Sequence, residues 1–182
     1  LAHWAVDFSI SHAALGSLLT TLKPLHSKLP KDSRTILGTT RSVCIDSLAG
    51  GSYYHFGLLS TVKSKLDKYS NTLNTQNLTL ILNIDGLPLF KSSNLQLWPI
   101  LGIIEQLPKK EPFVIGLFSG TTKPSSPNDF LKPFITELNK IVEDDILHEG
   151  KVYTLCVSAV ICDAPARSFV KCIKSHSGYS GC

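Results

Sequence analysis

Two strand-like apolar runs in this chain stop at an aspartate and are followed at once by a tight turn. Leu78 to Ile84 leads into Asp85-Gly86-Leu87-Pro88, and Val152 to Ile161 leads through Cys162 into Asp163-Ala164-Pro165. Runs of this kind predict strands buried in a sheet, whereas an ionised carboxylate is too costly to bury unpaired. Each strand therefore delivers its charge to the rim of the sheet, where it stays solvated or holds a metal. If the two strands are neighbours, carboxylates from distant parts of the chain converge on one point. Magnesium-dependent phosphoryl-transfer sites are built in that way.

Composition narrows the remaining classes. A chain of 182 residues with 43% hydrophobic and 18% charged content is long enough to bury one full domain, or a domain with a small appendage, and is not disordered. The net charge of +4 suits a nucleic-acid partner without requiring one. No run approaches the roughly 18 apolar residues of a membrane span, so no membrane is expected. The five cysteines, Cys44, Cys156, Cys162, Cys172 and Cys182, are odd in number and unevenly spaced. Cys156 and Cys162 fall in an apolar strand, where core thiols are expected and a reducing compartment is implied. The chain opens on Leu1, contains no methionine and stops at Gly181-Cys182, the pattern expected of an excerpt.

Residues 1–75 predict a small, mainly helical accessory region. Ser11 caps a helix running to about His26 that Pro24 should weaken or end, Asp32 or Ser33 caps a short helix before Gly38, and a further helix spans about Phe56 to Tyr69. Ser70 to Gln76 is polar and turn-prone, which sets a boundary there. Residues 76–182 read as mixed α/β: strands ending at Asp85, over Leu97 to Leu107 and over Phe113 to Phe118, then a helix carrying Phe130, Phe134, Leu138 and Ile141 or Val142. Pro133 should kink that helix or postpone its regular part. A fourth strand reaches Cys162, and a short helix runs from about Pro165 to Ile173. The order β-β-β-α-β-α is the opening of a ribonuclease-H-like fold, in which the fourth strand lies beside the first.

Each motif also has a local explanation. Asp85-Gly86 is a favoured hairpin turn, and Asp163 can cap the following helix. Neither role excludes a metal, because a capping carboxylate keeps a second oxygen. Arg167, Lys171 and Lys174 recur at intervals that put them on one helix face, either solvated or tracking phosphates. His176 and Cys182 supply two ligands of a partial zinc site, short of the usual four. Cys162 has no assignable base for nucleophilic catalysis, and no phosphate-binding glycine loop is present.

Ile84-Asp85-Gly86-Leu87-Pro88-Leu89-Phe90, Ser92-Ser93-Asn94 and Trp98-Pro99-Ile100 together resemble the start of the catalytic domain of CACTA-type DDE/D DNA transposases. Gly116-Leu117-Phe118-Ser119-Gly120, Lys123-Pro124 and Asn128-Asp129-Phe130-Leu131 are similar to the family's next segment. Cys162-Asp163-Ala164-Pro165-Ala166 with Ser177-Gly178-Tyr179-Ser180-Gly181-Cys182 resembles its second acidic motif. The likeness covers about residues 78–182 and implies a partial ribonuclease-H-like domain. It implies an enzyme of the nucleus that cuts and rejoins DNA at transposon ends, with two Mg²⁺ held by three acids. Asp85 matches the first acid and Asp163 the second; the third would lie beyond Cys182, so this length alone should not cleave DNA. Cys182 matches the first cysteine of a pair, which implies a zinc knuckle. The complete protein could form a homo-oligomer. Two other readings stay open: a catalytically inactive transposon-derived protein that binds DNA or protein, and an unrelated α/β domain with turn aspartates.

Overall fold

In a computed structural model of the chain, the described residues are 1–39 and 43–174. They form two compact units, Leu1–Cys44 and Ile45–Cys182.

The first unit is helical. α1 (Ala2–Asp7), α2 (His12–Leu22) and α3 (Ser33–Ile36) surround a small core of Ala5, Leu15 and Leu19. The Ser11 hydroxyl accepts from Ala14 N–H at 3.2 Å and starts α2 as expected. α2 stops at Leu22, two residues before Pro24, instead of reaching His26. Asp32 caps α3 by accepting from Arg34 N–H at 2.9 Å, and Gly38 follows with a positive φ of 64°.

The second unit is built on a sheet. β1 (Asp46–Leu48) and β2 (Gly51–His55) form a hairpin, followed by α4 (Leu58–Tyr69) and a single 3₁₀ turn over Ser70–Thr72. Next come β3 (Asn77–Ile84), β4 (Leu87–Pro88), β5 (Gln96–Ile104), β6 (Phe113–Gly120) and α5 (Pro127–Asp144). The chain continues through β7 (Ile146–His148), β8 (Lys151–Ile161) and α6 (Ala164–Val170). The strand order is β1-β2-β6-β5-β3-β8-β7, with β4 paired to β5. Among the described residues only β3 and β8 pair in parallel; the other neighbours are antiparallel. The α/β class is therefore observed, with the fourth predicted strand beside the first.

Strict alternation explains which face of the sheet is covered. Leu78, Leu80, Leu82 and Ile84 of β3 are buried, while the residues between them are only half-buried. Their face meets Leu58, Val62 and Leu66 of α4 and Phe130, Phe134 and Ile141 of α5, spaced as an amphipathic helix requires. Phe130 stands edge-on to Tyr53 and Phe118 at 6.2 and 6.1 Å between ring centres. α5 is helical from Pro127, so Pro133, inside its span, does not postpone the regular part.

Several expectations are corrected here. The region before residue 76 is mainly helical in content, but it is not a separate accessory region, since it also holds β1 and β2, which join the sheet edge at β6. Ser70 to Gln76 is a tight connection within one core, with Ser70 buried, and the break in packing lies between Cys44 and Ile45. A polar connector and a linker look alike in sequence. Both missed hairpins turn on two residues of positive φ, Ala49-Gly50 (51° and 83°) and Glu149-Gly150 (47° and 75°). Such turns normally announce themselves by Asn-Gly or Asp-Gly, and neither is present. Cys156 is exposed rather than in the core, because the far half of β8 has exposed residues on both faces. The four described cysteines are free thiols. No helix among the described residues is long and apolar enough to cross a membrane.

Candidate active site

The parallel register sets the geometry of the two aspartates. Asn83 of β3 lies beside Ile161 of β8, and Asp85 and Asp163 each follow two residues later at the same end of the sheet. Both line one cavity of about 240 Å³ whose walls also include Trp98 and Gln96. The Asn83 side-chain amide donates to the Ile161 carbonyl at 3.2 Å and ties the two strand ends together.

Asp85 is not in a hairpin between β3 and β4. Ile84 lies opposite Ile100, and Leu87 lies opposite Leu97, so both strands share one register along β5. That register sets Asp85 opposite Pro99, which has no N–H to contribute to a ladder. Gly86 falls opposite Trp98, and a Cβ there would lie 2.7 Å from the indole. The interruption is thus a two-residue gap in one strand line, and it turns Asp85 out at the rim. Its Oδ1 accepts from Gly86 N–H at 2.7 Å.

Asp163 is the N-cap of α6: its Oδ1 accepts from Ala166 N–H at 2.7 Å, and Arg167 N–H bonds its carbonyl at 2.9 Å. The local explanation of Asp163 therefore holds together with its place in the shared cavity. In both aspartates one oxygen is held by backbone, and Oδ2 has no hydrogen-bond partner among the described residues. Their fields meet at Cys162. Burial pushes that thiol above its ordinary value, the charges of Asp163 and Asp85 push it further, and a backbone bond at Ile84 and the Arg167 charge oppose them. A thiol kept protonated is a poor nucleophile.

The basic face is shorter than the spacing suggests. α6 ends at Val170, Lys171 is its C-cap, and Cys172 takes a positive φ of 55°. Arg167 and Lys171 keep their helical relation, whereas Lys174 lies beyond the helix; all three are exposed. Lys123 sits 5.4 Å from the centre of the Phe169 ring, in a neighbouring cavity of about 430 Å³. The two cavities share Pro165 in their walls. His176 and Cys182 lie outside the described residues. Among those described, no group of three or more His, Cys, Asp or Glu side chains is placed to hold a metal.

One polar cluster was invisible in sequence. Glu137 of α5 accepts from Leu58 N–H (2.6 Å) and Leu59 N–H (3.0 Å), capping α4 from another helix. It also binds His55 Nε2 at 2.8 Å, and Tyr53 O–H reaches His55 Nδ1 at 3.1 Å. Burial pushes the Glu137 carboxyl up, but the three hydrogen bonds and the His55 charge outweigh it and hold the group below its ordinary value. Burial, then the Glu137 and Asp46 charges, push the Tyr53 hydroxyl well up, so it stays neutral. Nothing local to Glu137 signals this role, because its partners lie about eighty residues earlier. Gln96 was likewise missed; its signal was proximity to Trp98.

Compared with known proteins, the chain matches no family model, no curated protein and no solved structure.

Proposed function

We propose that this chain supplies two of the metal-holding carboxylates of a DNA transposase, on a partial ribonuclease-H-like domain that cuts and rejoins DNA at transposon ends. The observation carrying this reading is that neighbouring parallel strands deliver Asp85 and Asp163 to one cavity, each with one oxygen held by backbone and the other unbonded. The donor set fits Mg²⁺, a hard cation that uses one or two carboxylates and completes its shell with water and substrate phosphate. When bound, the metal would activate the attacking hydroxyl and offset charge developing on phosphorus.

The protein's own part is positioning. Gly86 N–H and Ala166 N–H each hold one carboxylate oxygen, so the other is left without a competing partner among the described residues. Arg167 and Lys171, on the helix that Asp163 caps, would meet phosphates approaching that rim, with Lys174 following. The resemblance to transposases implies the nucleus as the place of action.

A Mn²⁺ titration followed by amide NMR tests the metal site. Paramagnetic broadening is expected first at Gly86, Ala166 and the Trp98 indole. It should disappear in a double Asp85→Asn, Asp163→Asn variant. Unchanged broadening in that variant, or broadening centred elsewhere, would reject the shared site.

A further inference from the structure

Gln96 opens β5 and lines the cavity that holds Asp85 and Asp163. Its Oε1 accepts from Trp98 Nε1–H at 3.2 Å. An indole nitrogen only donates, so this bond identifies the carbonyl end of the Gln96 amide and leaves the NH₂ end as the free one. Trp98 is itself fixed: it is buried, its ring meets Phe169 of α6 edge-on at 5.3 Å between centres, and Gly86 lies against its face. The Gln96 NH₂ has no acceptor among the described residues. The cavity therefore combines acceptor-only carboxylates with one oriented, uncharged donor of two N–H bonds.

We infer that Gln96 is a positioning residue that donates to a non-bridging oxygen of a phosphodiester seated at Asp85 and Asp163. This rests on the phosphoryl-transfer reading above. A neutral amide suits that role because it orients the phosphate without competing with a divalent cation for it. Its contact is to the DNA backbone, not to a base. Trp98 sets its direction, so the indole acts through Gln96. Bonds of this type, to a charged acceptor, are worth about tenfold in affinity.

The test measures anisotropy of a fluorescein-labelled DNA duplex with the 182-residue chain, with Ca²⁺ and with EDTA. The parent should bind more tightly with Ca²⁺. Gln96→Glu keeps an acceptor for Trp98 but replaces the donor by a carboxylate; Gln96→Leu removes the donor without adding charge. Both should lose about tenfold of the Ca²⁺-dependent affinity, keep their EDTA affinity within about twofold and retain the parent's Mn²⁺ broadening. Thermal melts close to the parent's confirm that both variants are folded. Ca²⁺-dependent binding that both variants preserve would overturn the role of Gln96 and leave the metal reading intact. Equal losses with and without Ca²⁺ would overturn it as well, by assigning Gln96 a structural part only. Parent binding that ignores Ca²⁺, and that the double Asp→Asn variant leaves unchanged, would reject the metal reading and this inference with it.

Discussion

Glu137 and the pair Asp85/Asp163 are carboxylates in two regions of one unit, and they differ in how much of their accepting capacity the protein uses. Both oxygens of Glu137 are taken, by Leu58, Leu59 and His55, and the group fastens α5 to the start of α4 and to β2. Asp85 and Asp163 each spend one oxygen on backbone and keep the other. A carboxylate whose acceptors are all satisfied internally works for the fold, while one left half-satisfied at a rim remains open to a ligand. The contrast predicts that stability and binding separate cleanly between the two regions.

The largest effect is expected from Glu137→Ala, which strips two helix-start N–H groups and His55 of their acceptor. It should cost about 3 kcal/mol in urea unfolding, against about 1 kcal/mol or less for Asp85→Ala. A Glu137→Ala loss no larger than that of Asp85→Ala would break the comparison. The pH dependence follows from the depressed Glu137 value. Between the folded value and the ordinary value of 4.5, the unfolded chain binds the proton that the folded chain refuses. This stabilisation is therefore complete above 4.5 and is lost as pH falls through the folded value. Glu137→Gln should flatten that part of the acid-unfolding profile, measured by urea midpoints from about pH 3 to 6.

An intermediate effect is expected at the rim. A triple Arg167→Ala, Lys171→Ala, Lys174→Ala variant should bind duplex DNA roughly tenfold more weakly at low salt, with a salt slope smaller by up to about three. Its unfolding midpoint should stay near the parent's. The same affinity and slope as the parent would make these residues an ordinary solvated surface.

The smallest effect sharpens the comparison most. Asp163→Ala should cost about 1 kcal/mol through the lost α6 cap, while Asp163→Asn, which still caps, should cost only a few tenths. Yet Asp163→Asn should abolish Mn²⁺ broadening at Ala166. If Asn and Ala prove equally destabilising, the capping bond is not what Asp163 contributes to the fold.

Much of the fold was legible because its signals are local. Alternation in Leu78 to Ile84, the Phe130-Phe134-Ile141 stripe, and the caps at Ser11, Asp32 and Asp163 all depend on neighbours within a few residues, and each appears where the pattern puts it. The two hairpins failed to announce themselves because Ala49 and Glu149 adopt positive φ without the usual Asn or Asp. Cys156 was misplaced because alternation indicates which face a residue takes, not whether anything covers that face. The boundary near residue 75 failed because a polar turn carries the same composition inside a core as between units.

The sequence by itself determined that Asp85 and Asp163 must leave their strands at a rim, because apolar runs bury and carboxylates resist burial. Only the tertiary structure decided that the two rims coincide, since strand pairing between β3 and β8 is a contact between residues nearly eighty positions apart. It alone showed that Glu137 caps α4 and that Gln96, bonded to the Trp98 indole, lines the carboxylate cavity. Hydrogen bonds of this kind depend on which surfaces the packed core brings together, and no periodicity within one segment encodes that choice.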